Sequence, residues 1–416
     1  MQRTLSAHLP TVVGETVTVA GWVHRHRRLK SVEFLIIRDR TGLAQVVLPP
    51  SSVDAVAGLT EESLISVTGL VRANAAAPAG VEVAEATVRV LSAAGPPPFD
   101  LYRPTLRAGL PTLLDHAPVA LRHPARQAVF RAAAAAVRGF RSTLDALGFT
   151  EVQTPKIIAS ASESGANVFR LDYFGRPAYL AQSPQFFKQA MVGVFERVYE
   201  VGPVFRAEPH DTVRHLAQYT SLDVEMGFIT DHRDVMALVR SVLAGMLESV
   251  GSFVEVRLPE EIPVVHFVDA LRMAGGAPDE PDLAPAHERW LGDWALREHG
   301  SDFLFVAGYP MAKRPFYTHP DPARPGYTNG FDLLFRGMEL ITGGQRLHRY
   351  DDYVSALAAR GESTEPYASY LSVFRHGMPP HGGFAIGLER FLMRLTGAAN
   401  IREVTLFPRD LTRLTP

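Results

Sequence analysis

Hydrophobic positions follow two different rhythms along the chain. Up to about residue 95 they come as short runs or alternate in twos. VTVAGWVH (17–24), SLISVTGLVRA (63–73) and GVEVAEATVRVLS (80–92) each read as a strand. EFLIIRDRTGLAQVVL (33–48) reads as a hairpin turning at Asp39-Arg40-Thr41-Gly42. Five or so short strands in about 90 residues predict a small closed barrel of the OB type. The rhythm then breaks at AAGPPPFDL (93–101), and proline-punctuated sequence to about 120 reads as a linker. From Pro124 to Leu147 the apolar residues Phe130, Ala133, Val137, Phe140, Leu144 and Leu147 recur every three or four positions, which predicts a long helix with Gly148 as its C-cap. The rest mixes strands and helices with no βαβ rhythm, so an antiparallel sheet with flanking helices is expected. The expected class is α+β, with a barrel at 1–95, a linker at 96–120 and a larger domain at 121–416.

Composition changes this picture mainly by exclusion. The 416 residues are 46% hydrophobic and 21% charged, an ordinary globular balance with enough chain for two or three domains. There is no cysteine, which excludes disulfides, thiolate metal sites and a cysteine nucleophile. The N-terminus carries no apolar signal-like stretch and no apolar run reaches about 18 residues, so a cytoplasmic protein without membrane contact is expected. The net charge of −2 does not announce nucleic acid, so any such binding must come from a local patch.

Four stretches carry candidate chemistry. In FRAE (205–208), read as a strand end, alternation points Arg206 and Glu208 the same way, and Arg214 follows in a polar loop. A guanidinium there can grip a phosphate and a carboxylate can accept from an adenine amino group; an ordinary surface ion pair also fits. In FDLLFRGMELITGGQRLH (331–348), Arg336-Gly337 makes a hairpin turn and Phe335 opposes Met338. Asp332 and Glu339 then share a face suited to Mg²⁺, with Thr342 as a further oxygen, although a solvated acidic hairpin would look the same. Strict alternation turns Arg346 away from Glu339, and a bulge at Gly343-Gly344 is expected to re-aim it. In GGFAIGLERFLMRL (382–395) a glycine-rich strand enters a helix bearing Glu389-Arg390, where an arginine can stack on a base or simply close a junction. HRHRRLK (24–30) reads as a basic loop between barrel strands, with Phe34 and Gln45 on one face of the next hairpin, as a base-stacking and base-reading pair or as ordinary barrel residues.

In this order the pieces resemble a class II aminoacyl-tRNA synthetase over essentially the whole chain. The long helix with GFTEVQTPKI resembles motif 1, with Pro155 at the family's dimer-interface proline; FRAEPHDTVRH resembles motif 2 and GFAIGLERF motif 3. A leading OB barrel marks the Asp/Asn/Lys subgroup. The resemblance implies ATP binding by Arg206, Ala207, Glu208, Arg214, His215, Leu216, Tyr219, Glu339, Gly387, Leu388, Glu389 and Arg390, with Arg206 catalytic. It implies Mg²⁺ on Asp332, Glu339 and Thr342, and a homodimer. QSPQFFKQ (182–189) resembles the aspartyl enzymes, implying aspartate contacts from Gln185, Lys188, Arg346, Arg206 and Thr342, with Glu163 and Asp223 meeting the ammonium. Two cations facing one carboxylate would reject the neutral amide of asparagine. SASESGANVF (160–169) and PPHGGF (379–384) resemble the archaeal type, and about 100 residues between motif 2 and the Asp332 hairpin leave no room for the large bacterial insertion.

The anticodon side departs from the tRNA-selective relatives. Where those carry a tryptophan and a lysine, this chain has His24 and Pro78 beside Arg25, Phe34 and Gln45. Relaxed members resemble it there. This implies charging of both tRNA-Asp and tRNA-Asn with L-aspartate, the second product needing a separate amidotransferase. Gln218-Tyr219 replaces the usual Glu-Phe, with Tyr219 still able to stack on adenine. The alternatives are a strictly tRNA-Asp-specific enzyme, an asparaginyl enzyme, an aspartate–ammonia ligase that would need no barrel, and a non-catalytic tRNA-binding relative.

Overall fold

The computed structural model describes residues 3–30, 32–50, 56–159, 167–251 and 254–416. Two compact units divide between Gln127 and Ala128. In the first, β1 (Thr16–Arg28), β2 (Glu33–Arg38), β3 (Leu43–Leu48), β4 (Leu64–Ala73) and β5 (Val81–Ser92) close a barrel in the order β1-β2-β3-β5-β4. Its interior is filled from alternate positions, among them Val19, Val23, Leu35, Ile37, Val46, Ile65, Val67 and Val83. The expected turn at Asp39–Gly42 is present, and the Asp39 carboxylate fixes it by accepting from the Thr41 and Gly42 amides.

Two sequence expectations change here. HRHRRLK is mostly strand: β1 continues to Arg28 and pairs with β2 as far as Glu33, leaving only Leu29-Lys30 of the stretch beyond it. Cross-strand charge favours this, because Glu33 accepts His26 Nε2 at 2.8 Å and lies 3.6 Å from Arg28 Nε. The stretch expected as an irregular linker at 96–120 holds two short helices, α1 (Leu110–Asp115) and α2 (Ala117–Ala120), and the first unit runs on to Gln127. Each helix carries a proline in its first turn, where no amide partner is lost.

The long helix α3 (Pro124–Ala146), which lies in the second unit from Ala128 on, is ended by Gly148 at φ 76°. Strands β6 (Thr150–Glu151), β10 (Arg197–Phe205), β11 (Gln218–Gly227), β12 (Val264–His266), β13 (Phe303–Ala307), β14 (Gly330–Phe335), β15 (Met338–Gln345) and β16 (His381–Gly387) form one eight-stranded sheet, ordered β12-β13-β14-β15-β16-β11-β10-β6. Its interior pairs are antiparallel as expected, and only the edge pairs β12/β13 and β6/β10 are parallel. A separate three-stranded sheet joins β7 (Ile157–Ile158), β8 (Arg170–Tyr173) and β9 (Arg176–Leu180). Helices α4 (Gln185–Phe195), α5 (His232–Val250), α6 (Phe267–Met273), α7 (Pro285–His299), α8 (Tyr350–Ala359), α9 (Ala368–Ser372) and α10 (Leu388–Thr396) flank the sheet.

One face of the sheet carries the main core. Leu222, Val224, Phe331, Leu333, Phe384 and Ile386 pack with Phe140 and Leu144 of α3, Val239 and Leu243 of α5, and Phe391 of α10. Since side chains alternate along a strand, the intervening residues Ser221, Asp223, Glu225, Gly383 and Ala385 turn to the other face. Among the described residues no helix is long and apolar enough to cross a membrane.

Candidate active site

On that other face lies a cavity of about 340 Å³, lined from α4, β11, β15, β16 and the start of α10. At one end the charges are buried and matched. Gln185, Lys188 and Gln189 all lie on the inward stripe of α4, and Lys188 is only 1% exposed. Its Nζ lies 3.1 Å from Asp223 Oδ1 and 3.3 Å from Glu225 Oε2, and donates to the carbonyls of Val224 and Phe384. Arg346 Nε donates to Glu225 Oε1 at 3.0 Å and Nη2 to the Gly383 carbonyl at 3.0 Å. Two cations thus face two carboxylates. Burial would push the Glu225 carboxyl up, but Arg346 and Lys188 hold it below the usual carboxylate value. Behind them, Gln185 donates to Gln189, which meets Tyr353, Tyr370 and His381. Burial lowers the His381 pKa to about 4, so it is a neutral imidazole. Gln185, Lys188, Asp223, Thr342 and Arg346 are therefore brought together; Glu163 lies outside the described residues.

The other end is rich in arginine. Strand β10 stops at Phe205, so Arg206-Ala207-Glu208 lies just beyond the strand rather than in it; the Arg206 amide bonds Ala217 and the Ala207 amide bonds Asn167 instead of a strand neighbour. Arg206 and Glu208 still share a side, 3.9 Å apart, and the Arg206 guanidinium lies 5.7 Å from the Tyr219 ring centroid. His215 Nε2 is 3.5 Å from Glu208 and its Nδ1 bonds Thr212; burial holds its pKa below the ordinary histidine value. Arg214 pairs with Glu288 of α7 at 3.0 Å. Leu216 forms a buried part of the wall. Gly387 separates Tyr219 from Arg390: a Cβ there would stand 3.9 Å from both side chains. Leu388 is buried and starts α10. Glu389 caps the approach from β11 by accepting the Thr220 amide, and burial raises its pKa to about 7.

Between the two ends lies the β14–β15 hairpin. Asp332 stands opposite Thr342, and Leu334 opposite Glu339. Since Leu333 pairs with Ile341, Leu340 is the extra residue of a bulge. This corrects the expected bulge at Gly343-Gly344, whose pairs with Phe331 and Gly330 stay in register. The bulge precedes Thr342 and so puts Thr342 and Arg346 on the Glu339 face. Glu339 pairs with Arg390 at 3.2 Å, and Thr342 Oγ1 lies 3.4 Å from Glu339 Oε1. Asp332 pairs with Arg314 at 2.8 Å, and its Oδ1 is buried without a hydrogen-bond donor in good geometry. Burial raises the Asp332 carboxyl, Arg314 acting against it.

The barrel carries its own candidate face. Phe34 and Gln45 do share the outward side of the β2–β3 hairpin, Gln45 standing opposite Ile36. Glu82 accepts from the Gln45 amide at 3.0 Å and from Asn74 at 2.7 Å, which fixes how Gln45 presents its oxygen. His24 occupies a bulge, because Val23 pairs with Ile37 and Arg25 with Ile36. It is 8% exposed, lies 3.3 Å from Arg38 and has its pKa lowered to about 4 by burial first and Arg38 second. Arg25 lies over the Tyr102 ring at 3.9 Å, and Pro78 opens the turn between β4 and β5.

Sequence reasoning passed over Glu225, Arg314, Glu288 and Glu82. The alternation in SLDVE placed Glu225 beside Asp223 and could have found it. Arg314 and Glu288 reach their partners from distant segments, and Glu82 reaches Gln45 from another strand, with no local signal.

The family described as tRNA synthetases class II (D, K and N) matches residues 110–411, and the OB-fold nucleic acid binding domain matches 17–91. The chain is 47% identical to an aspartate–tRNA(Asp/Asn) ligase of Thermus thermophilus, over 100% of this chain and 99% of that one. Identity is 44% with the protein of the same name from Deinococcus radiodurans, again over 100% and 99%. An aspartate–tRNA(Asp) ligase of Picrophilus torridus is 38% identical, with 97% of each covered. Among solved structures, asparaginyl-tRNA synthetase from Pyrococcus horikoshii with asparaginyl-adenylate has a TM-score of 0.92 at 29% identity, covering all of both chains. Aspartyl-tRNA synthetase from Entamoeba histolytica has a TM-score of 0.88 at 28% identity, over 100% of this chain and 93% of that one.

Proposed function

The chain belongs to the class II tRNA synthetases of the D, K and N group, and from that premise we propose that it is an aspartate–tRNA ligase that charges both tRNA-Asp and tRNA-Asn. The observation that carries the amino-acid assignment is the pair Lys188 and Arg346, buried side by side at the closed end of a cavity whose other end is lined by Arg206, Arg214 and Arg390. An amino acid with a side-chain carboxylate fits the first end and a nucleotide triphosphate the second. Asparagine would offer these cations an uncharged amide in place of a carboxylate.

The reaction divides along the cavity. The α-carboxylate of aspartate attacks the α-phosphate of ATP, forming aspartyl-adenylate and releasing pyrophosphate. The 3′-terminal ribose hydroxyl of tRNA then takes the aspartyl group and releases AMP. No protein nucleophile is needed; the residues position the reactants and offset charge. Lys188 and Arg346 hold the side-chain carboxylate, with Gln185 beside them and Asp223 and Glu163 toward the ammonium. Arg206 stabilises the α-phosphate, and Arg214 with His215 holds the outer phosphates. Glu208 reads the adenine edge while Tyr219 and Arg390 sandwich its ring across Gly387. The hard oxygens of Asp332, Glu339 and Thr342 fit Mg²⁺, and the buried Oδ1 of Asp332, which meets no donor in good geometry, supports that fit. When bound, the ion offsets phosphate charge.

Relaxed tRNA choice rests on His24 and Pro78. A neutral, largely buried imidazole offers an anticodon base neither a broad stacking surface nor a charge. Aspartylation of both tRNA transcripts tests this: comparable charging is expected, and a large preference for tRNA-Asp would overturn it. Aspartyl-tRNA-Asn then requires a separate amidotransferase. We also read Pro155 and α3 as part of a homodimer contact.

A further inference from the structure

Arg314 is assigned no contact with aspartate or ATP, yet it stands in the wall of the same cavity. It arrives from the β13–β14 connection, just after a 3-10 turn at Met311–Lys313 and just before Pro315. Its backbone carbonyl is held by Arg360 and its guanidinium lies 4.0 Å from the Tyr309 ring centroid. With both ends fixed, Nη2 donates to Asp332 Oδ2 at 2.8 Å, and the side chain is only 12% exposed. One oxygen of Asp332 is therefore engaged, while Oδ1 is buried and meets no donor in good geometry.

Glu339 is matched as well, by Arg390 at 3.2 Å. Among the described residues no group of three His, Cys, Asp or Glu side chains could hold a metal. A bare divalent cation would thus meet two carboxylates whose charge is already offset by arginine. Magnesium gives up water reluctantly and usually binds through one or two carboxylates together with substrate phosphates. We propose that Arg314 is a resident counter-ion that closes the Asp332–Glu339 pair to a free divalent cation, so that the metal enters only with the ATP phosphates. The inference rests on the assignment of Asp332 and Glu339 to the metal. Arg314 acts through Asp332: it is a positioning residue that aims one carboxylate oxygen and sets the order of binding.

The test titrates Mn²⁺, followed by electron paramagnetic resonance, into the nucleotide-free full-length protein. Arg314→Met is expected to bind one ion roughly tenfold or more tighter than wild type, because a cation beside the site is gone. Arg314→Lys keeps the charge and should behave as wild type. Adding Asp332→Asn to the methionine variant should remove the gain. Equal Mn²⁺ affinity in wild type and Arg314→Met, whether measurable or absent in both, overturns the proposal. If circular dichroism shows that the methionine variant is unfolded, Arg314→Gln, which retains a donor but no charge, makes the same comparison. Aspartate-dependent pyrophosphate exchange is measured separately on wild type. Its absence would overturn the substrate assignment without altering the metal result.

Discussion

Replacing Arg346 with methionine separates two duties of one side chain. In the structure, its Nε bonds Glu225 Oε1 and its Nη2 bonds the Gly383 carbonyl, both at 3.0 Å. Glu225 has no exposed surface, and after the change keeps only Lys188, at 3.3 Å, as a charge partner. Removing one member of a buried pair costs about 3–5 kcal/mol of stability, because the other charge is left uncompensated. Adding Glu225→Gln removes that stranded charge, so the double variant should regain much of the loss. Aspartate recognition should not follow. A substrate carboxylate that loses a charge partner in a closed site forfeits about 2–5 kcal/mol, which is roughly 30-fold to a few thousand-fold in kcat/KM at 1.4 kcal/mol per tenfold. Denaturant unfolding measures the first effect, and ATP–pyrophosphate exchange across an aspartate titration measures the second. An unchanged kcat/KM in the single variant, or its recovery in the double variant, would refute the recognition role. Failure of the double variant to regain stability would refute the ion-pair account.

Three further outcomes are expected. Arg206→Ala should lower aspartate-dependent exchange by about 10²–10³-fold or abolish it, as loss of a preorganised charge at a transition state does; retained exchange would show the role is misassigned. Glu389, with its pKa raised to about 7 against an ordinary 4.5, binds its proton more tightly in the folded state. Its stabilisation is complete below about pH 4.5 and is lost as pH rises to 7, by up to about 3 kcal/mol at 1.36 kcal/mol per pKa unit. Unfolding of wild type and Glu389→Gln compared across that window should show the slope only in wild type; parallel curves would contradict the buried-acid reading. A Cβ at Gly383 would fall 2.1 Å from the Val224 carbonyl and 2.2 Å from Glu225 Oε2, so Gly383→Ala should destabilise by about 1–3 kcal/mol and raise KM for aspartate. A wild-type melting curve and KM would argue against close packing behind the Glu225 carboxylate.

Local hydrophobic pattern is enough to identify the barrel strands and the long helix. Alternation in twos predicts the barrel, and spacing in threes and fours predicts α3 almost to the residue. These are local consequences of backbone geometry and need no distant partner. The basic stretch after Trp22 looked like a loop because charge and exposure suggest turns, whereas Glu33 across the ladder makes it a strand. Likewise, two adjacent glycines drew attention to the wrong bulge, since a bulge is fixed by pairing register and not by glycine alone.

Which charges meet depends on how distant segments pack. Lys188 and Asp223 are 35 residues apart, Arg346 and Glu225 are 121 apart, yet each pair lies within about one hydrogen-bond length. Arg314 and Glu288 carry no signal in their own neighbourhoods, and the anticodon-side His24 reads as a loop residue until the bulge and Arg38 show it buried and neutral. The physical reason is common to all of them. A side chain's facing direction follows from its own strand or helix, but its charge state and its partner depend on which other segments exclude water from it.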